Sequence, residues 1–405
     1  MSIAPYLAAA IQFEPLMFAK EANLHQLLVL VEQAAQKGAR LITTPEMATT
    51  GYCWFDRQEI APMVETVPGE STARFTKLAQ RYQCYIVLGM PEVEPQTALY
   101  YNSAVLIGPQ GVIGCHRKSH PYISEPKWAA AGDVGHQVFD TPLGRIGMLV
   151  CMDIHFPETT RLLALDGVDV ICHISNWLAE RTPAPYWISR AMENGCYLLE
   201  SNRWGLERGV QFSGGSCIIE PDGNIAAVVD NGDGIAYAEI DINRSRQRRV
   251  LGELVFDQRR PDYYQSLLSD SFLWNPQDFF GLYGQQPLPP GKQSRITVVQ
   301  SYPIPTGADP LHWHLFRTRA GENNLYLAFA NAIDDSNERG GYSGIFGPET
   351  FTFPRHERLL WQETQTVTQT IDTRSLAGSP YPTNVVRRKD LVAMRQPHHY
   401  KPLLK

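Results

Sequence analysis

Apolar runs of strand length alternate with segments whose apolar residues recur at helical spacing, from residue 5 to beyond residue 220. The stretch "IGMLV" (146–150) offers no polar position to water, so it belongs to a strand covered on both faces. Between such runs, Leu24, Leu27, Leu28, Val31 and Ala35 mark one helix face, with Gly38 where a C-cap belongs, and Phe75, Leu78, Ala79 and Tyr82 mark another. "ARLITT", "CYIVLG", "GRIGMLV", "VDVICHIS" and "CYLLES" read as strands, and "FPETTRLLALDG" and "PYWISRAMENG" as helices. The turns "GPQG" and "EPDG" each join two β-rich runs into a hairpin. Strands alternating with helices, with hairpins interposed, predict mixed sheets covered by helices in an α/β layered architecture.

Charge and cysteine usage exclude several classes of protein. The net charge is −6, and the one basic cluster, "RSRQRR" at 244–249, is short and mixed with polar residues, which suits a solvated surface and no nucleic-acid partner. No apolar run approaches the roughly 18 residues of a transmembrane helix, and "MSIAPYLAAAIQFEP" lacks the basic start of a signal peptide. A cytoplasmic location without membrane contact is the expectation. The cysteines number 7, all between Cys53 and Cys217, and none is spaced C-x-x-C, so neither a disulfide framework nor a zinc site is expected.

In α/β sheets chemistry collects just beyond the carboxyl ends of strands. Glu46 follows "LITTP", Lys118 follows "VIGCHR" and Cys151 follows "RIGMLV". A carboxylate, an ammonium and a thiol converging in a partly dry site would supply a base, a cation that favours developing negative charge, and a nucleophile. Cys151 could instead be a small buried hydrophobe, as Cys172 and Cys217 are expected to be. Asp153 is expected to hold the turn after Cys151 by bonds to backbone. Cys172 and His173 are neighbours on one strand and point to opposite faces, so they form no dyad.

The sequence resembles the carbon–nitrogen hydrolases of the nitrilase superfamily over roughly residues 5 to 268. "TPEMATTGY" resembles the family's glutamate motif, "HRKSHPYISEPKWAAAGD" its lysine motif and "GMLVCMDIHFPE" its cysteine motif. "SNW", "RAMENGCYLLESN" and "FSGGSCIIEPDGNI" follow in the family's order. The resemblance implies a four-layer αββα sandwich, dimer-based homo-oligomers, and no metal or organic cofactor. It also implies that Cys151 attacks an amide carbonyl or nitrile carbon while Glu46 takes the thiol proton, giving a thioester that water then hydrolyses. Lys118 and the backbone N–H of Met152 would hold the oxyanion, and Glu125 looks like the second glutamate of amidase members. "CMDIHFPE" is similar to the amidase and carbamoylase branches, whereas true nitrilases tend to carry Trp-Glu or Gly-Glu after the cysteine. The expected substrate is therefore a small amide or N-carbamoyl amine, in a pocket lined by analogy with Tyr52, Trp54, Asn176 and Trp177. A nitrile substrate, acyl transfer to an amine, and a non-catalytic binding role remain alternatives.

The triad is complete within residues 1–270, and "NPQDFFGLYGQQPLPPGKQS" reads as a linker spanning 271–294. Beyond it, "HLFRTRAGENNLYLAFAN" (314–331) aligns with "PYWISRAMENGCYLLESN" (185–202) at Arg319/Arg190, Ala320/Ala191, Glu322/Glu193, Asn323/Asn194, Tyr326/Tyr197, Leu327/Leu198 and Asn331/Asn202. "RITVVQS" aligns with "DVICHIS", "GYSGIFGPE" with "QFSGGSCIIEPDG", and "RQPHHYKPLL" with "RRPDYYQSLL". Residues 295–405 thus read as a partial, degenerate repeat of the second half of the fold, without counterparts of Glu46, Lys118 or Cys151. Such a half unit could cap the pocket, replace the family's dimer contact, or serve structure alone.

Overall fold

In a computed structural model of the chain, the described residues are 3–122, 124–178, 182–247, 255–268, 296–301, 311–323, 325–331, 333–334, 339–340, 343–347, 358–359, 371 and 395–404. They divide into two compact units, one within 1–262 and 399–405, the other within 263–398. The linker expected at 271–294 lies outside the described residues. Residues 399–404, which the sequence assigns to the second unit, belong with the first, because Tyr400 and Leu403 are buried there.

The first unit holds two six-stranded sheets. Its strands are β1 (Tyr6–Gln12), β2 (Leu41–Thr43), β3 (Tyr85–Val93), β4 (Tyr100–Gly108), β5 (Gly111–Arg117), β6 (Val138–Thr141) and β7 (Gly144–Val150). They continue with β8 (Val170–Ser175), β9 (Tyr197–Asn202), β10 (Trp204–Glu207), β11 (Val210–Ser213), β12 (Cys217–Ile219), β13 (Ile225–Val228) and β14 (Gly234–Ile240). The sheet orders are β14-β1-β2-β3-β4-β5 and β13-β12-β9-β8-β7-β6. Each sheet has parallel strands at its centre, β1-β2-β3 in one and β7-β8-β9 in the other, and antiparallel hairpins at its margins. The β10–β11 hairpin forms a separate ribbon that the sequence reading did not separate from its surroundings.

The buried central strands explain their unbroken apolar runs. Helices α1 (Lys20–Gln36), α2 (Arg57–Ile60) and α3 (Glu70–Tyr82) precede β3, and the apolar faces of α1 and α3 close over the first sheet. There Leu27, Val31, Phe75 and Ala79 share one core with Ile42, Ile86, Val105 and Ile107. Helix α4 (Pro157–Leu165) packs Leu163 against Gly147 of β7, and α5 (Pro185–Asn194) ends at Gly195 in the left-handed region, φ 59°. Between the sheets, Thr43 and Ser201 share a hydroxyl–hydroxyl bond of 2.6 Å. Two sheets with helices packed on them make this unit a mixed α/β sandwich, in keeping with the expected αββα layering. A short helix, α6 (Ile242–Arg246), carries Arg244 and Arg246 of the basic cluster, paired with Glu220 at 2.5 Å and Asp169 at 3.1 Å.

In the second unit, strand Ile296–Ser301 runs parallel to Tyr326–Asn331 with helix Leu311–Glu322 between them in sequence, and Gly344–Phe346 adds antiparallel. Trp313, Ala320, Leu327, Phe329 and Phe346 form its apolar cluster. Among the described residues no helix is long and apolar enough to cross a membrane.

A close approach of backbone to backbone fixes the turn that carries Glu46. The chain leaving β2 lies so near β3 that a Cβ on Gly89 would stand 2.1 Å from the Pro45 carbonyl oxygen and 2.8 Å from the Glu46 Cα. Only glycine fits there. Gly89→Ala should push the Pro45–Glu46 turn off β3 and cost about 1–3 kcal/mol, as overpacking does, read as a lower urea midpoint in circular dichroism. An unchanged midpoint would contradict this packing.

Candidate active site

The three strand ends meet. Glu46 lies in the turn after β2, where Thr44 is clamped to β3 by Thr44 N–H to the Val87 carbonyl at 2.9 Å. Lys118 directly follows β5, and its Nζ donates to Glu46 Oε1 at 2.8 Å and to Glu125 Oε2 at 2.7 Å. Glu125 opens the short 3₁₀ turn Glu125–Lys127. Glu46, Lys118 and Glu125 are all at most 1% exposed. Two buried carboxylates thus share one buried ammonium, and a further donor serves both: Asn102 Nδ2 lies 2.6 Å from Glu46 Oε1 and 2.6 Å from Glu125 Oε1. The other oxygen of Glu46 accepts the Asn176 backbone N–H at 2.7 Å.

Burial by itself would neutralise Lys118, but Glu125 and Glu46 more than offset it and hold the ammonium well above its usual range. One positive charge cannot fully compensate two carboxylates. Burial, and the negative charge of Glu46, accordingly raise the Glu125 carboxyl despite the pull of Lys118.

Cys151 ends β7 because its backbone turns left-handed, φ 45°, and the chain winds into the 3₁₀ turn Cys151–His155. Its thiol is buried beside the same charges. Desolvation and Glu46 drive its pKa well above the ordinary thiol range, with Lys118 and the Asn176 N–H acting in the opposite direction. Glu46 is the carboxylate whose charge acts most strongly on this thiol.

His173 sits behind Cys151. It does not form a dyad with Cys172; its Nε2 lies 3.0 Å from the Cys151 carbonyl oxygen and its Nδ1 bonds Glu200, which also takes the Ser175 hydroxyl. Asp153 holds the turn by accepting the Val150 N–H at 3.1 Å, and it reaches further than the sequence suggested. It accepts from His116 Nε2 at 2.8 Å, Ser119 Oγ at 2.8 Å and His120 N–H at 3.0 Å, so it joins the cysteine turn to the lysine loop. Burial would raise its carboxyl, but the bonds from His116 and His120 keep it well below the usual carboxylate range.

The remaining expected residues separate into two groups. Tyr52 has its ring 5.7 Å from Lys118 Nζ, and Asn176 borders Cys151 through its backbone N–H. Among the described residues, the Tyr52 hydroxyl and both polar atoms of the Asn176 side chain are buried without a hydrogen-bond partner. Met152 follows the nucleophile in the turn and is buried. Trp54, by contrast, donates its indole N–H to the Gly51 carbonyl at 2.9 Å and packs on Phe18, while Trp177 stacks on His155 with centroids 4.7 Å apart. The sequence reading missed Asn102, His173 with Glu200, and the pair Arg203–Glu207. Glu207 takes the backbone N–H of Tyr52 at 2.8 Å and of Cys53 at 2.6 Å, and Arg203 holds it at 2.6 Å.

Asn102→Leu would remove a donor from two buried carboxylates. The expected loss is about 1.5–3 kcal/mol, the worth of a hydrogen bond to a charged group, measured by urea unfolding; a variant as stable as wild type would mean that Asn102 does not bridge them.

Residues 7–250 match the carbon–nitrogen hydrolase family. A nitrilase of Pyrococcus abyssi is 35% identical over 260 residues, covering 63% of this chain and 98% of that protein. An N-carbamoylputrescine amidase of Solanum lycopersicum is 31% identical over 266 residues, covering 59% and 87%. The crystal structure of a carbon–nitrogen hydrolase from Helicobacter pylori superposes with a TM-score of 0.60 at 26% identity, covering 66% of this chain and 99% of that one. With the matched segment spanning more than half of the sequence and containing Glu46, Lys118 and Cys151, the chain belongs to the carbon–nitrogen hydrolase family.

Proposed function

We propose that the protein hydrolyses a small linear amide or N-carbamoyl amine through a thioester on Cys151. The observation that carries this reading is the Lys118 ammonium shared by Glu46 and Glu125 beside the buried Cys151 thiol. Glu46 removes the Cys151 proton as sulfur bonds to the carbonyl carbon. Lys118 and the Met152 N–H receive the oxyanion, and the proton passes from Glu46 to the leaving nitrogen as the C–N bond breaks. Water, deprotonated by Glu46, then releases the acid and restores the thiol.

The second carboxyl favours an amide over a nitrile. Glu125 lies beside the ammonium and can accept from an amide N–H₂, a donor that a nitrile lacks. Tyr52 and Asn176 supply the unpartnered polar atoms from which a substrate's carbonyl and amino groups would find their bonds. A homologue described as an N-carbamoylputrescine amidase is consistent with this class of substrate.

The second unit, in this reading, is a degenerate copy without chemistry of its own. Its support is repeated geometry. Arg190 bonds Glu193 at 2.7 Å and Arg319 bonds Glu322 at 2.5 Å, while Asn194 and Asn323 each cap the carbonyl of the preceding arginine at 3.0 Å. Ser216 Oγ accepts the Asn202 N–H at 2.9 Å, and Ser343 Oγ accepts the Asn331 N–H at 2.9 Å.

Ammonia release from short aliphatic amides, N-carbamoyl amines, N-carbamoyl amino acids and nitriles, with Cys151→Ala beside wild type, tests the proposal. The expected result is Cys151-dependent release from an amide or carbamoyl compound. Release from nitriles alone, or release that survives Cys151→Ala, would overturn it.

A further inference from the structure

Residues 259–268, "RRPDYYQSLL", and 395–404, "RQPHHYKPLL", share more than their Arg, Pro, Tyr and Leu-Leu positions. Both fold as two 3₁₀ turns separated by one residue: Pro261–Tyr263 and Gln265–Leu268 in one, Pro397–His399 and Lys401–Leu404 in the other. Their hydrogen bonds are reciprocal. Arg259 Nη2 donates to the Leu403 carbonyl, and the equivalent Arg395 Nη2 donates to the equivalent Leu267 carbonyl at 2.9 Å. Arg259 and Leu403 both belong to the first unit, and Arg395 and Leu267 both to the second, so the first unit takes in a segment that is remote from it in sequence.

The segment closing the first unit brings Tyr400, fully buried, to His120, whose Nε2 is 3.3 Å from the Tyr400 hydroxyl oxygen. On its other side, His120 Nδ1 is 2.8 Å from Asp153 Oδ1, and the ring stacks on Phe156 with centroids 3.9 Å apart. An ionised carboxylate only accepts, so Nδ1 carries a proton toward Asp153, and Nε2 is the ring atom that faces the Tyr400 hydroxyl. His120 stands two residues beyond Lys118, and Asp153 two beyond Cys151. We propose that Tyr400 is a positioning residue for the reaction: its hydroxyl fixes the His120 ring, His120 fixes Asp153, and Asp153 spans the two turns that present the ammonium and the nucleophile. A phenylalanine would fill the same volume and leave this connection open.

The inference rests on the hydrolase reading, so its test includes a readout that needs no substrate. In the full-length protein, the rate of Cys151 alkylation by iodoacetamide is followed by peptide mass spectrometry, alongside kcat and KM for whichever amide is turned over. Tyr400→Phe should lower the alkylation rate and kcat by about threefold to tenfold, less than the ~10²-fold expected of a 1 Å misplacement, with KM unchanged. Lys401→Ala, at the exposed neighbouring position, should leave both rates at wild-type values. In a His120→Asn background, Tyr400→Phe should add nothing, because the two act in series. Wild-type rates in Tyr400→Phe, or equal losses in the presence and absence of His120, would overturn the inference while leaving the hydrolase reading in place. An unreactive Cys151 in the wild-type protein would remove that reading and this one with it.

Discussion

The Lys118 ammonium is the interaction on which the rest of the site depends. Two carboxylates removed from water repel each other and lose their hydration, which is tolerable only where a buried cation and well-aimed donors replace it. Lys118 supplies the cation, and Asn102 and the Asn176 N–H supply donors. Each comes from a different stretch of chain: the end of β5, the start of β4 and the end of β8. The fold is the device that brings them together, since no local segment contains more than one.

That arrangement also sets the surroundings of Cys151. Burial and the negative charge of Glu46 push its thiol up, against the pull of Lys118. A thiolate kept permanently beside an imidazolium is a different solution. Here the histidine behind the cysteine, His173, bonds the Cys151 carbonyl oxygen, where it steadies the left-handed turn that ends β7. In the proposed reaction the substrate's carbonyl oxygen gives Lys118 a developing negative charge to hold.

Much of this was legible in the sequence because strand ends are legible. The apolar runs before Glu46 and Cys151 stop where the strands stop, and the "GPQG" turn fixes the hairpin that delivers Lys118. Asn102 was not legible, although it lies across from Lys118 in that hairpin. Counting back from the turn misplaces it by one residue, because a bulge at Leu106/Ile107 shifts the register. His173 was read correctly as unable to reach Cys172, yet its contact with the Cys151 carbonyl depends on two parallel strands lying side by side, which periodicity does not report. For the tryptophans the sequence places Trp54 and Trp177 where a pocket wall is expected, and the structure shows their rings packed on Phe18 and His155.

The far end of the chain bears on how the first unit is completed. Residues 263–268 belong to the second unit, and 399–404 to the first, where Tyr400 and Leu403 are buried. A unit whose last turns come from the far end of the chain cannot be completed until that end is in place. The far end of the chain need not carry chemistry to matter to the site: its proposed contribution is a hydroxyl group delivered to His120, one bond removed from Asp153, which ties the Cys151 turn to the Lys118 loop.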